Sequence, residues 1–452
     1  MAQVSPSRKT AFEILVQVDA GQAFASDLLQ GPQVSALSER DRALSTEIVM
    51  GVLRWRGEID HRLQKLAGRS PQSLDREVAT ALRMGVYQIA FLEKIPKSAA
   101  VNESVELTKL ARKRSAAGFV NAVLRKCEPE KLLRRSGATL PDAPELLAGV
   151  RRSVPGWLLE RWETNFGVEA ANRLAWAAAQ VPATTLRICS CTPEPEEVTR
   201  KFEEKGRKLR RCEYASNALI AEPGEGAVSR LAEEMRLAVQ DEASQLVAEM
   251  VGARSGEQVL DLCAAPGMKT SILADGAGDG LLVACDLSAR RLETLRKLLP
   301  RLTAGAGAVR VVRLDAAQAL PFRENFDRIL VDAPCSGTGT LARNPEIKWR
   351  LAQEDLQRLP AIQRKILSNA LSAVRPGGRL VYATCSLEPE ENEQVVESVL
   401  AANTSFRLVG KSELAEYLPK IAPLIDEGGY FRTRPDLHGM DGFFAVVMAR
   451  VL

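Results

Sequence analysis

The stretch QVLDLCAAPGMKT, Gln258 to Thr270, decides the fold. An apolar run ends in an acid, Pro266-Gly267 makes a tight turn, and the residues after it begin a helix. That is a strand entering a helix. Gly267 lets the backbone approach a ligand closely, and a helix N-terminus offers N–H groups without intrahelical partners. Downstream the pattern recurs in LLVACDLS, VRVVRLDA, FDRILVDAPC, GRLVYATCS and GFFAVVMAR, separated by helix-like stretches such as ARRLETLRKLLPRL and QRKILSNALSAV. Near-continuous apolar strands with helical crossovers predict a mostly parallel sheet covered on both faces, a doubly wound α/β domain. It is expected over residues 241–452.

Upstream the period changes. Val78, Leu82, Val86 and Ile89 fall on one helix face, and Leu44, Ile48, Val49, Val52 and Leu53 on another, so roughly the first 140 residues read as helical. SGATLPDAPELL, residues 136 to 147, breaks that period and reads as a linker. Between it and the α/β domain, VPGWLLERW and ANRLAWAAAQ look helical and TTLRICSC looks like a strand, which predicts a small connecting α+β subdomain over 141–240.

Composition limits the chemistry. The chain has 452 residues, a formal net charge of +4, eight cysteines and two histidines. It is too long for one core. No C-x-x-C pair occurs and the histidines are too few for a His-rich site, so no metal is expected. Neither a membrane span nor a signal peptide is evident, and a cytoplasmic protein is expected. The net charge is too small to argue for nucleic acid by itself. Locally, however, Lys109, Arg112, Lys113, Arg114, Arg125, Lys126, Lys131, Arg134 and Arg135 make the helical domain basic. Such a row is commonly a solvated face; the sharper reading is a surface for RNA phosphates.

In open α/β sheets, ligands lie beyond the carboxyl ends of the strands, where strand order reverses. Asp286 ends the second strand and Asp315 the third, where carboxylates can accept hydrogen bonds from a ribose diol and an adenine amine. Each acid alone reads equally well as a turn or cap residue. No G-x-G-x-x-G follows the first strand and no G-x-x-x-x-G-K-[ST] occurs, which disfavours dinucleotides and triphosphates. S-adenosylmethionine, which has no phosphate, fits better. The fourth strand ends in DAPCSGTGT and the fifth in ATCS, so Cys335 and Cys385 can reach one centre if the strands are neighbours about 5 Å apart. The other cysteines at 127, 189, 191, 212 and 285 read as small core residues.

Together, DLCAAPGMKT, DAPCSGTGT and ATCSLEPEENE resemble the signature set of RNA cytosine-5 methyltransferases. LSERDRALSTEIVMGVLRWRGEID, VNAVLRK and VQDEASQLVAEM resemble one branch of them, the RsmB (Sun/Fmu) 16S rRNA methyltransferases, which carry an N-terminal NusB-like RNA-binding domain. The resemblance spans nearly the whole chain. It implies a class I S-adenosylmethionine methyltransferase fold and a NusB-like domain over 1–140. It also implies methylation of C5 of a cytosine in naked or partly assembled 16S rRNA by a monomer. By the same resemblance Cys385 attacks C6, Cys335 serves product release, Asp332 holds the cytosine, and Lys269 supports base or cofactor. The cofactor-binding candidates are Cys263, Ala264, Ala265, Pro266, Gly267, Met268, Lys269, Asp286, Asp315 and Asp332.

Two departures from the family pattern stand out. Met268 occupies a usual Gly, and Leu186-Arg-Ile-Cys189 replaces L-R-V-N, the second being expected away from the site. An idle RNA-binding factor of the same fold would need neither thiol. A zinc cytidine deaminase is excluded by the missing P-C-x-x-C and H-x-E elements.

Overall fold

The computed structural model describes residues 4–129, 140–222, 228–304, 308–322 and 326–451. The chain divides into two compact units, residues 1–181 with 341–351, and residues 182–340 with 352–452.

The first unit is helical: α1 (Pro6–Asp19), α2 (Glu39–Arg54), α3 (Arg56–Ala67), α4 (Arg76–Phe91), α5 (Lys97–Leu110) and α6 (Ala117–Lys126), then α7 (Pro144–Arg152), α8 (Gly156–Phe166) and α9 (Val168–Ala179). The apolar faces read from the sequence are the buried ones. Val78, Leu82, Val86 and Ile89 of α4, and Ile48, Val49, Val52 and Leu53 of α2, lie in the core. Arg83 joins three helices, its fork on Asp60 at 2.7 and 2.9 Å and its remaining nitrogen on Asp19 at 3.0 Å. Residues 341–351 also pack here. Trp349 Nε1 donates to Leu53 O at 2.8 Å and Lys348 Nζ to Arg54 O at 2.9 Å, so two carbonyls left open at the end of α2 gain partners. Lys131, Arg134, Arg135 and the start of the expected linker lie outside the described residues.

In the second unit β1 (Thr184–Arg187), β2 (Leu209–Arg211), β3 (Ala218–Ala221) and β4 (Ala238–Val239) form an antiparallel sheet in the order β2-β3-β1-β4. The larger sheet uses β5 (Gln258–Asp261), β6 (Leu281–Asp286), β7 (Ala308–Arg313), β8 (Phe326–Asp332), β9 (Val374–Thr384), β10 (Phe406–Leu408), β11 (Phe431–Arg432) and β12 (Phe444–Arg450). Its order is β10-β12-β9-β8-β5-β6-β7, with β11 pairing β12. Strands β5 to β9 pair in parallel and β12 lies antiparallel to β9. From β5 the chain moves outward through β6 and β7, then returns to place β8 on the other side. The switch point therefore lies between β5 and β8.

Side-chain alternation builds two cores. Val259, Leu330 and Val381 face α10 (Glu242–Val251) and α11 (Met268–Ala277), whereas Leu260, Ile329, Val331, Leu380 and Tyr382 face the helices Asp355–Ala373 and Glu393–Ala401. Burial on both faces explains why these strands read as continuous apolar runs.

Beyond the strand ends three backbone segments are stitched together. Gly339 N donates to Cys385 O at 3.0 Å, and Gly442 N donates to Gly339 O at 2.8 Å. A Cβ on Gly339 would stand 2.0 Å from Gly442 O, so the close approach requires glycine. Gly339→Ala is expected to cost about 1–3 kcal/mol through overpacking. Urea unfolding measures it, and an unchanged midpoint would show that the segments separate freely.

Candidate active site

The first strand to leave the sheet at the switch point supplies the loop Leu262–Gly267. Leu262 N bonds to Leu330 O at 3.0 Å and Ala264 N to Cys285 O at 2.8 Å, which ties the loop to both neighbouring strands. Ala265–Pro266 is a cis peptide. Gly267, at φ +111°, is the residue from which α11 starts, and a Cβ there would lie 3.0 Å from Leu295 Cγ. Asp261 is buried beneath the loop. Its Oδ2 accepts from Thr270 Oγ1 at 2.8 Å, while Oδ1 has no hydrogen-bond partner. Burial pushes its carboxyl up to about 7, although the Thr270 hydroxyl opposes the shift.

The two expected adenosine acids occupy the next strand ends. Asp286 closes β6, with Oδ1 accepting from Ser288 N at 2.9 Å, Oδ2 from Ala265 N at 3.3 Å, and Arg291 at 3.4 Å from Oδ2. It thereby links the strand end, the loop after β5 and the next helix. The cap of that helix is Ser288, not Asp286. Asp315 lies two residues beyond β7, and its Oδ1 accepts from Ala317 N at 3.0 Å.

Across the switch point Lys269 Nζ meets Asp332 Oδ2 at 2.8 Å and stands 4.9 Å from the centre of the Phe443 ring. Burial works against the charge on Lys269, but Asp332 outweighs it and raises the ammonium's pKa. The ion pair joins the loop after β5 to the end of β8.

Strands β8 and β9 are neighbours, with Asp332 opposite Ala383. That register brings Cys335 Sγ within 3.4 Å of Cys385 Sγ, both as free thiols. The hydrogen bond to Cys385, then burial, pushes the Cys335 thiol well above its ordinary range. Either sulfur can be the donor in this contact.

The structure corrects one expectation. Cys189 is not remote: with Ala238 and Leu302 it forms a small core against which Met268 packs, and Arg187 Nη2 donates to Ser271 Oγ on α11. Three other groups do not stand out in the sequence. Asp261 looks like an ordinary strand-end acid, Phe443 like a core aromatic, and Glu391 like one more acid in a solvated turn. Glu391 is fully buried and accepts from Ser336 N at 2.9 Å. The spacing of Glu391 after the Thr-Cys-Ser run carries no warning of burial.

Family models match three parts of the chain: 16S rRNA methyltransferase RsmB/F over residues 248–449, the NusB family over 5–129, and a Methyltr_RsmF/B-like ferredoxin-like domain over 154–224. The chain is similar to the probable ribosomal RNA small subunit methyltransferase B of Bacillus subtilis, at 32% identity over 98% of each sequence. It is 33% identical to ribosomal RNA small subunit methyltransferase B of Vibrio cholerae, over 98% of this chain and 97% of the relative. Among solved structures, the crystal structure of PH0851 superposes with a TM-score of 0.79 at 25% identity over 99% of both chains. NSun6 from Pyrococcus horikoshii with SFG superposes with a TM-score of 0.56 at 20% identity, over 66% of this chain and 98% of that one.

The residues present fit S-adenosylmethionine. Asp261 Oδ1 is a buried acceptor without a donor, and the cradle at Gly267 has no room for a side chain. The Asp261 shift has a consequence for stability. Between about pH 4 and pH 7 the unfolded carboxyl has lost its proton while the folded one still holds it, so stability contributed by this group falls as pH rises. Asp261→Asn should remove that slope. Urea midpoints should diverge in favour of the variant up to pH 7 and then run level; parallel curves would mean that Asp261 ionises normally in the folded protein.

Proposed function

The chain belongs to the RsmB family of 16S rRNA methyltransferases and is S-adenosylmethionine-dependent, and we propose that it methylates C5 of one cytosine through a covalent adduct to Cys385. The observation that carries the proposal is the pair of sulfurs 3.4 Å apart, beside the Lys269–Asp332 ion pair at the switch point. A binding protein has no use for two adjoining thiols.

C5 of cytosine is a weak nucleophile. Addition of the Cys385 thiolate to C6 moves the ring electrons onto C5, and the ring becomes able to take up a methyl group. The bound sulfonium supplies that methyl group as an electrophile. Loss of the C5 proton then expels Cys385 and restores the aromatic ring, with Cys335 assisting release. Asp332 accepts from the exocyclic amine and from N3 in its protonated form, which makes the ring electrophilic, and Lys269 fixes Asp332 in place. Cys263, Ala264, Ala265, Pro266, Gly267, Met268 and Lys269 shape the cofactor cradle, with Asp286 at the ribose, Asp315 at the adenine amine and Asp332 at its edge.

For the substrate, we take naked or partly assembled 16S rRNA, bound by a monomer in the cytoplasm. The parts are a helical RNA-binding domain over 1–140, a connecting subdomain over 141–240 and a catalytic domain over 241–452. Among the described residues, Lys109 pairs with Glu106 and Lys113 with Asp75, whereas Arg112, Arg114 and Lys126 are exposed and pair with no carboxylate. With Arg125, which is exposed and whose Nε donates to the neutral Asn121 side chain, they are the cations of this row, among the described residues, left to meet phosphate.

The two thiols separate in a simple assay. Cys385→Ala should abolish both methylation and covalent attachment to RNA, whereas Cys335→Ala should accumulate a protein–RNA adduct that survives denaturing electrophoresis. An adduct with Cys385→Ala and none with Cys335→Ala would exchange the two roles.

The helical domain makes a second prediction. Replacing Arg112, Arg114 and Lys126 together by Ala should flatten the plot of log affinity for rRNA against log salt by about 0.7 to 0.9 for each phosphate that is no longer neutralised, leaving cofactor affinity unchanged. An unchanged slope would return these residues to a solvated face.

A further inference from the structure

The distance between the two thiols is not set by the thiols. Cys335 and Cys385 each sit on an irregular segment past a strand end, and no regular ladder holds them there. The residue that follows each cysteine is held instead by one buried acid. Glu391 Oε1 accepts from Ser336 N and from Gln363 Nε2, each at 2.9 Å. Glu391 Oε2 accepts from the Ser386 hydroxyl at 2.5 Å and from the Ser336 hydroxyl, and the two hydroxyls are 3.0 Å from each other.

The outer flanks are tied to the same place. Gln363 Nε2 also donates to Pro334 O at 2.9 Å, on the other side of Cys335. Asn392, next to Glu391, accepts from Thr384 Oγ1 at 2.6 Å and donates to Ser386 O at 3.0 Å, bracketing Cys385. The backbone of the acid is itself anchored, because Tyr382 donates its hydroxyl to Glu391 O at 2.7 Å.

A carboxylate suits this position. It accepts only, offers about four lone-pair sites, and here all four are used by four converging donors. Glu391 touches neither sulfur and faces no solvent. We propose that Glu391 is a positioning residue for the methyl transfer: by gripping Ser336 and Ser386 it fixes the distance between the Cys335 and Cys385 sulfurs. This rests on the reading of the two thiols given above. The positioning is geometric and separate from the charge of Glu391, which also raises the Cys335 thiol's pKa, since the amide of a glutamine could keep every contact while removing that charge. Its oxygen would take the two N–H donors, and its NH2 group would meet two hydroxyls able to turn and accept.

Two measurements on the full-length protein test the clamp. The first is steady-state methylation of rRNA, with the Kd for S-adenosylmethionine and the melting temperature alongside. The second needs no RNA: diamide takes two electrons and two protons from the paired thiols, and mass spectrometry of unreduced peptides follows closure of the Cys335–Cys385 disulfide.

Glu391→Ala should lower kcat by about ten- to a hundredfold, as expected for reacting groups displaced by up to about 1 Å, with KM for RNA and cofactor Kd within about twofold. Disulfide closure should slow by about tenfold or more. Glu391→Gln should recover both rates to within about threefold of the native protein, on the scale of lost precision rather than lost chemistry. An alanine variant that keeps both rates overturns the proposal. So does an alanine variant that loses cofactor binding together with kcat, which marks general structural damage, and so does a glutamine variant that fails to recover. If the native protein forms no 5-methylcytosine, the proposed reaction falls, while the closure rates still decide whether Glu391 sets the sulfur distance.

Discussion

The parallel pairing of β8 with β9 is the constraint on which the site depends. Its register sets Asp332 opposite Ala383, and from that point each chain has only a few residues to travel before it presents a thiol. A slip of one residue would turn every side chain of the strand to the other face. Here that would exchange Leu380 and Tyr382 with Val381 between two different cores, so the apolar packing on both faces locks the register. The placement of the two thiols is inherited from hydrophobic burial below the crevice. The strand end supplies coarse placement within the strand spacing of about 5 Å. Polar contacts around Glu391 and the backbone stitches at Gly339 supply the remainder.

Electrostatics divides the crevice into two regions with different rules. At the switch point Lys269 and Asp332 form an ion pair in which each offsets the cost of burying the other, and the Phe443 ring adds a favourable face to the ammonium. One turn away, Asp261 lacks such a partner. The Thr270 hydroxyl and the charge on Lys269 favour its ionised form, but burial outweighs them and pushes its carboxyl up to about 7. At the thiol pair the contact with Cys385 and then burial push the Cys335 thiol well above its ordinary range.

How much of this was legible in the sequence varied with the range of the interaction involved. The strands announced themselves because burial on both faces leaves continuous apolar runs, and the helical faces of α2 and α4 because their period is local. The thiol pair followed from strand ends once β8 and β9 were neighbours. Glu391 was not legible, since an acid in EPEENE reads as solvated unless the donors at Ser336, Gln363 and Ser386 are already known to converge on it. Residues 341–351 were equally hidden. They follow the Cys335 loop in sequence, yet Lys348 and Trp349 complete the end of α2 almost three hundred residues earlier, a contact set by the unpaired carbonyls of that helix.

In the loop after β5, Met268 stands where the sequence resemblance leads one to expect glycine, and the structure shows how it is accommodated. Of the two positions where glycine is usual, only 267 needs it here. Its φ of +111° is costly for any side chain, and Leu295 leaves no space for one. Position 268 is already the first residue of α11 and is not among the residues with positive φ, so Met268 meets no backbone penalty. What it must find is somewhere to put a long thioether. It finds the small core of Cys189, Ala238 and Leu302, and Cys189 is the residue that stands where the family pattern has an asparagine. An asparagine there would bring a polar amide against the methionine and would need its own hydrogen-bond partners. A cysteine behaves as a small hydrophobe and needs none. The two positions, far apart in sequence, meet in space: Met268 packs against the small core to which Cys189, two residues past β1, contributes.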